Sequence, residues 1–197
     1  MSVVLASAST VRAELLRRAG VELAVDPARV DESAVKASIL AEGAPPRDVA
    51  DKLAELKALR VGARHETALV IGADQVLVHG GEILDKPESL GEARVHLLRL
   101  RGQRHDLLSA AVIVLQGAPV WRHVGAARLT MRPFSDAFLD GYLEQIGERA
   151  LTSVGAYQIE GLGAQLFARV DGDYFTVLGL PLLEILGFLR ARGVLAE

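Results

Sequence analysis

The stretch Leu69-Val70-Ile71-Gly72-Ala73-Asp74, continued through Gln75-Val76-Leu77-Val78-His79-Gly80-Gly81-Glu82-Ile83-Leu84-Asp85-Lys86-Pro87, limits the folds open to this chain more than any other. Leu69 to Ile71 is an apolar run of the kind found in a strand buried on both faces. Asp74 is expected at the end of that strand, because a carboxylate in mid-sheet needs a partner. Gly80-Gly81 marks a two-residue hairpin, and Pro87 stops the return strand behind Lys86. The hairpin thus offers a carboxylate and an ammonium from neighbouring strand ends. That pairing suits a metal-bound polyanion better than it suits a core; a solvated ion pair is the plain alternative.

Composition narrows the function classes. Half of the 197 residues are hydrophobic and 24% are charged, enough for a globular core. A net charge of -3 implies neither a nucleic-acid footprint nor a surface for anionic membranes. The absence of cysteine excludes disulfides, thiolate catalysis and cysteine metal sites. Met1-Ser2-Val3-Val4-Leu5 is too short and too soon polar for a signal peptide, and no apolar run approaches a bilayer span. A soluble, cytoplasmic protein is expected.

Along the chain, strands and helices alternate, which predicts an α/β fold with a mixed sheet flanked by helices. Val3 to Ala6 reads as a strand that turns through Ser7-Ala8-Ser9 into a helix capped by Ser9 and stopped at Gly20. Such a turn aims backbone N–H groups and hydroxyls at one point, as helix N-termini do for phosphate, and Arg12 in the first turn can add a bidentate contact. Asp31-Glu32 opens a polar loop whose oxygens suit a hard cation, although acids also serve as ordinary dipole partners near a helix start. Val49, Leu53, Leu56 and Leu59 recur at helical spacing, with Lys57 at the edge of the stripe. Ser89 and Ser135 cap two further helices, Gly117-Ala118-Pro119 is read as a hairpin, and Asp171-Gly172-Asp173 as another. Pro181 opens an apolar last helix. The five histidines have no ligand spacing and read as structural.

Taken in order, Leu5-Ala6-Ser7-Ala8-Ser9-x-x-Arg12-x-Glu14-Leu15-Leu16, Asp31-Glu32, Lys57-Ala58, Gly72-Ala73-Asp74, Lys86-Pro87, Gly155-Ala156-Tyr157, Glu160-Gly161-x-Gly163 and Gly179-Leu180-Pro181-Leu182 resemble the Maf (septum-formation) family of nucleoside triphosphate pyrophosphatases. The resemblance covers essentially the whole chain. It implies a single domain over residues 1–197, with two lobes sharing one sheet around a cleft, similar to inosine-triphosphate pyrophosphatases. It implies hydrolysis of a nucleoside triphosphate to monophosphate and pyrophosphate with a divalent cation, Mg²⁺ or Mn²⁺, in a homodimer. By position, Asp74 matches the family's proton acceptor, while Ser7, Ser9, Arg12, Glu32, Lys57 and Lys86 match its phosphate- and metal-handling residues. Glu32 and Asp74 are the expected metal ligands; whether Asp74 is base, ligand or both stays open.

The departures from the family pattern bear on the base. The positions tied to base choice are here Val11, Gln75 and Glu160. Gln75 and Glu160 resemble the subgroup acting on 7-methyl-GTP, and a carboxylate can accept from both N1–H and the exocyclic amine of guanine. Val11 departs from that subgroup, which has a tryptophan there for stacking on the cationic base. A modified or purine nucleoside triphosphate is the expected substrate, in a house-cleaning role. The alternative is a nucleotide-binding regulator of cell division that does not need hydrolysis.

Overall fold

The computed structural model describes residues 1–196. Among them, seven strands form a sheet of order β2-β1-β3-β5-β6-β7, with β4 paired to β3: β1 (Val3–Leu5), β2 (Leu23–Val25), β3 (Leu69–His79), β4 (Glu82–Leu84), β5 (Arg104–Leu115), β6 (Ala118–Met131) and β7 (Phe167–Asp171). β1 is parallel to both β2 and β3, whereas β4 and β7 are antiparallel to β3 and β6, so the sheet is mixed. The helices are α1 (Thr10–Arg18), α2 (Glu32–Ala41), α3 (Pro46–Gly62), α4 (Leu90–Leu100), α5 (Asp136–Ile146), α6 (Tyr174–Val177) and α7 (Leu182–Ala191). None is long and apolar enough to cross a membrane.

The chain groups into two compact units. Unit 1 comprises Met1–Gln75, Leu108–Gly125 and the C-terminal stretch from Asp173; unit 2 comprises Val76–Leu107 and Ala126–Gly172. The core of unit 1 joins Leu5, Leu16, Leu69, Ile71, Ile113 and Ile185. In unit 2, Leu97, Leu100, Leu129, Leu139 and Leu166 are fully buried. Burial of this kind is the main favourable term holding either unit together.

Local chemistry sets most helix starts where expected. The Ser9, Ser89 and Ser135 hydroxyls accept from the backbone N–H three residues on, which satisfies one orphan donor of each first turn. Gly80 and Gly81 make the β3–β4 turn. Three expectations are corrected. β3 does not stop at Asp74 but runs through it to His79, because a lysine from α3 supplies the partner that the buried carboxylate needs. The β5–β6 turn is Gln116-Gly117, both with positive φ, so Ala118 and Pro119 already lie in β6. Asp171-Gly172-Asp173 is no hairpin: Asp173 accepts from the N–H groups of Phe175 and Thr176, and that cap turns the chain into α6 rather than a returning strand.

Candidate active site

Unit 1 gathers most of the residues singled out above. β1 is completely buried, and the chain leaves it through Ser7, itself only 6% exposed, into α1. The Ser7 hydroxyl accepts from the Ser9 N–H at 3.3 Å and from Arg12 Nη1 at 3.2 Å. The Ser9 hydroxyl accepts from the Arg12 N–H at 3.3 Å. Both oxygens therefore keep their own protons to donate outward.

Arg12 is fixed by carbonyls. Its Nε donates to Gly179 O at 2.8 Å and its Nη1 to Ala73 O at 3.0 Å. A guanidinium pinned through Nε and Nη1 loses little further freedom when Nη2 takes a phosphate oxygen. Burial lowers its pKa, opposed by the charges of Asp74 and Glu32. The guanidinium nevertheless stays protonated.

Asp74 and Lys57 form the deepest ion pair. Lys57 Nζ donates to Asp74 Oδ1 at 2.6 Å, and each side chain is 8% exposed. The same ammonium lies 2.8 Å from Glu32 Oε1, on the first turn of α2, while the neighbouring Asp31 caps that helix by accepting from Ala34 N–H. Burial pushes the Asp74 carboxyl upward against the pull of Lys57 and Arg12. The approach of α3 to β3 depends on Gly72, which shares a strand face with Asp74. A Cβ there would sit 2.1 Å from Ala54 O and 2.6 Å from Ala58 N, both backbone atoms of α3. Only glycine lets the helix close far enough for Lys57 to reach the carboxylate.

Gln75 follows Asp74 on β3 and turns its amide nitrogen to Ser109 Oγ, Thr176 O and Val177 O, at 3.0, 3.2 and 3.1 Å. Val11 is half-buried on α1 beside Arg12. Ser109 is a partner that the sequence reading passed over. Its signal is a lone hydroxyl in the apolar run of β5, where it is completely buried.

Lys86 and Glu160 belong to unit 2, both on exposed stretches of it. The segment carrying Glu160 is tied down within that unit. Tyr142 Oη donates to Ala156 O at 3.1 Å, Ser153 Oγ donates to Tyr157 O at 2.7 Å, and Tyr157 Oη lies 2.8 Å from His105 Nε2.

Among the described residues, no group of three or more histidine, aspartate or glutamate side chains is arranged to hold a metal ion. Glu32 and Asp74 nevertheless converge on one cationic point, now Lys57 Nζ. Two carboxylates, with phosphate oxygens and water completing the shell, are the donor set that Mg²⁺ commonly takes. The donor chemistry fits a cation that arrives with a phosphate ligand.

The chain is similar to known proteins along nearly its whole length. The family model described as Maf-like protein matches residues 2–192. A nucleoside triphosphate pyrophosphatase of Paramagnetospirillum magneticum is 58% identical over 97% of this chain and 98% of its own. One of Ruegeria pomeroyi is 52% identical over 98% of this chain and 96% of its own. A 7-methyl-GTP pyrophosphatase of Rhizobium meliloti is 50% identical over 98% and 96% respectively. With a family match over nearly its full length and relatives this similar end to end, the chain belongs to the Maf-like protein family.

Proposed function

We propose that this chain is a nucleoside triphosphate pyrophosphatase whose phosphate-handling centre is the Arg12–Asp74–Lys57–Glu32 cluster. The observation that carries the reading is a buried acid bonded to Lys57, its neighbour Ala73 accepting from Arg12 in the first turn of α1. A phosphate seated there meets the Ser7 and Ser9 hydroxyls, the first N–H groups of the helix and Arg12 Nη2. In the reaction, water adds to phosphorus, the bridging P–O bond between the α- and β-phosphates breaks, and monophosphate and pyrophosphate leave. Catalysis then comes from position and charge, since the oxygens around phosphorus carry the developing negative charge.

Each side chain has a task in this scheme. Lys57 and Arg12 neutralise phosphate oxygens, and Lys86 matches a phosphate-handling position of the family. Asp74, with Oδ1 engaged by Lys57, presents Oδ2 to the attacking water and takes its proton. The upward push of burial on its pKa makes it a better proton acceptor than an ordinary aspartate. A divalent cation held by Glu32 and Asp74 would supply further neutralisation of the triphosphate. Glu160 reads the base, its carboxylate accepting from the Watson–Crick edge of a guanine. A guanine or 7-methylguanine nucleotide is therefore the preferred substrate. The name of the Rhizobium meliloti relative and the pairing of Gln75 with Glu160 support that choice.

The test is product analysis on GTP, 7-methyl-GTP, UTP, dTTP and CTP, with magnesium and with a chelator. The expected result is equimolar monophosphate and pyrophosphate, lost on chelation and fastest with a guanine base. Binding of all five with no pyrophosphate formed would replace the enzyme by a nucleotide-binding regulator.

A further inference from the structure

Glu160 stands on a braced turn within unit 2. It is the third residue of a turn from Gln158 to Gly161, closed by the Gly161 N–H donating to Gln158 O at 3.2 Å. Its side chain is exposed, yet the backbone beneath it is packed without slack. A Cβ on Gly163 would run into Gln158 O and sit 2.9 Å from Gln158 N, so only glycine fits there. The limb leading into the turn carries two residues of positive φ, Gly155 at +80° and Ala156 at +61°. For an alanine that conformation is costly, and its surroundings must enforce it. Two hydroxyls do so. Tyr142 on α5, 4% exposed, donates to Ala156 O at 3.1 Å, and Ser153 Oγ donates to Tyr157 O at 2.7 Å. Burial raises the pKa of the Tyr142 hydroxyl, and the charge of Glu160 adds a smaller push in the same direction. The phenol therefore keeps its proton at neutral pH and remains a donor.

We propose that Tyr142 and Ser153 are positioning residues for base selection: by holding the Ala156 and Tyr157 carbonyls they set where the Glu160 carboxylate stands. This rests on the reading of Glu160 as the residue that meets the base. With its ring buried and its proton given to Ala156 O, Tyr142 has no donor left for a nucleotide, and its influence passes through the loop. Tyr142 and Ser153 belong to unit 2, whereas Arg12, Glu32, Lys57 and Asp74 belong to unit 1. Loosening the loop is consequently felt by the base and not by the triphosphate.

Titration calorimetry in magnesium buffer tests this with the α,β-methylene analogues of GTP and UTP, which resist cleavage between those phosphorus atoms. Inorganic tripolyphosphate, which has no base, is the control. The wild type is expected to bind the guanine analogue more tightly than the uracil one. Tyr142→Phe deletes one hydroxyl and is expected to lower the guanine-to-uracil affinity ratio about fivefold, the scale of one lost buried hydrogen bond. Tripolyphosphate affinity should stay as in the wild type. In a Glu160→Gln background, Tyr142→Phe is expected to move the ratio less than about twofold, because both changes act on one contact. If Tyr142→Phe fails to fold, Ser153→Ala carries the same expectations. An unchanged ratio, an equal loss for both analogues and tripolyphosphate, or an undiminished effect in the Glu160→Gln background would overturn the proposal. So would a wild-type chain that is blind to the base or binds neither analogue. A ratio moved by Glu160→Gln alone would remove the positioning role and leave base reading by Glu160 standing. The expected shifts in a chain that does not hydrolyse GTP would instead remove the proposed activity and leave the positioning role standing.

Discussion

Two buried polar knots, one in each unit, solve the same problem in opposite ways. In unit 2, His105 is 2% exposed, lies against Tyr157 and Phe167, and leaves Nδ1 buried without a hydrogen-bond partner. Burial drives its pKa down to about 4, and burial also raises the hydroxyls of Tyr157 and Tyr142. Every member of that knot is neutral. In unit 1, Lys57 and Asp74 are buried facing each other at 2.6 Å, with half-buried Arg12 bonded to the neighbouring Ala73 carbonyl. Neutral groups would satisfy a core more cheaply than a buried ion pair does. On the proposed function, this protein builds the charged version near a helix N-terminus because those charges serve a ligand.

The comparison breaks first at Arg12. Arg12→Ala should lower pyrophosphate release about 10²–10³-fold, the usual loss when one organised donor to developing charge is removed. Thermal melting should change little by comparison. A variant that melts early but turns over normally would make this knot structural like the other one.

Gly72→Ala strikes the geometry rather than the charge. The added methyl meets two backbone atoms of α3, so helix and strand must part. Denaturant unfolding should show a loss of about 3 kcal/mol or more, at the upper end for overpacking. Activity should fall with it, since Lys57 loses its reach to Asp74.

For the neutral knot the readout is acid. Above pH 6.5 His105 is uncharged whether folded or not. Between 6.5 and about 4 the unfolded chain takes up a proton that the fold refuses, so stability falls as pH falls through that window. The whole effect is about 3 kcal/mol. His105→Leu should flatten that part of the stability profile; a wild-type profile already flat there would show His105 to be charged in the fold.

Glu160→Gln is the smallest change. It should shift the GTP-to-UTP ratio of kcat/KM by about tenfold, the scale of mispairing one polar edge, while tripolyphosphate affinity stays put. A uniform fall across all bases would move Glu160 from base reading to phosphate handling.

What could be read from the sequence follows the reach of each interaction. The serine caps at residues 9, 89 and 135 were legible because a cap satisfies its own next turn. Asp74 within β3 was not, since the partner that makes it tolerable comes from α3, 17 residues earlier. Asp173 was ambiguous for a local reason: an aspartate after glycine serves a hairpin and a helix cap equally well, and the cap won. The tie from Gln75 to Ser109 and Thr176 spans 34 and 101 residues, beyond any local pattern. Asp74, Lys57, Arg12 and Glu32 could be named from an ordered set of motifs, but only coordinates show one ammonium shared by two carboxylates.

The most direct test of the account is pyrophosphate formation by Asp74→Asn, measured on the best wild-type substrate beside its unfolding midpoint. Asparagine keeps the shape and still accepts from Lys57, but it cannot take a proton from water or carry the negative charge. The expected result is a rate about 10²–10⁴-fold lower in a chain that folds. Wild-type turnover in that variant would contradict the account, because the acid at its centre would then have no part in the chemistry.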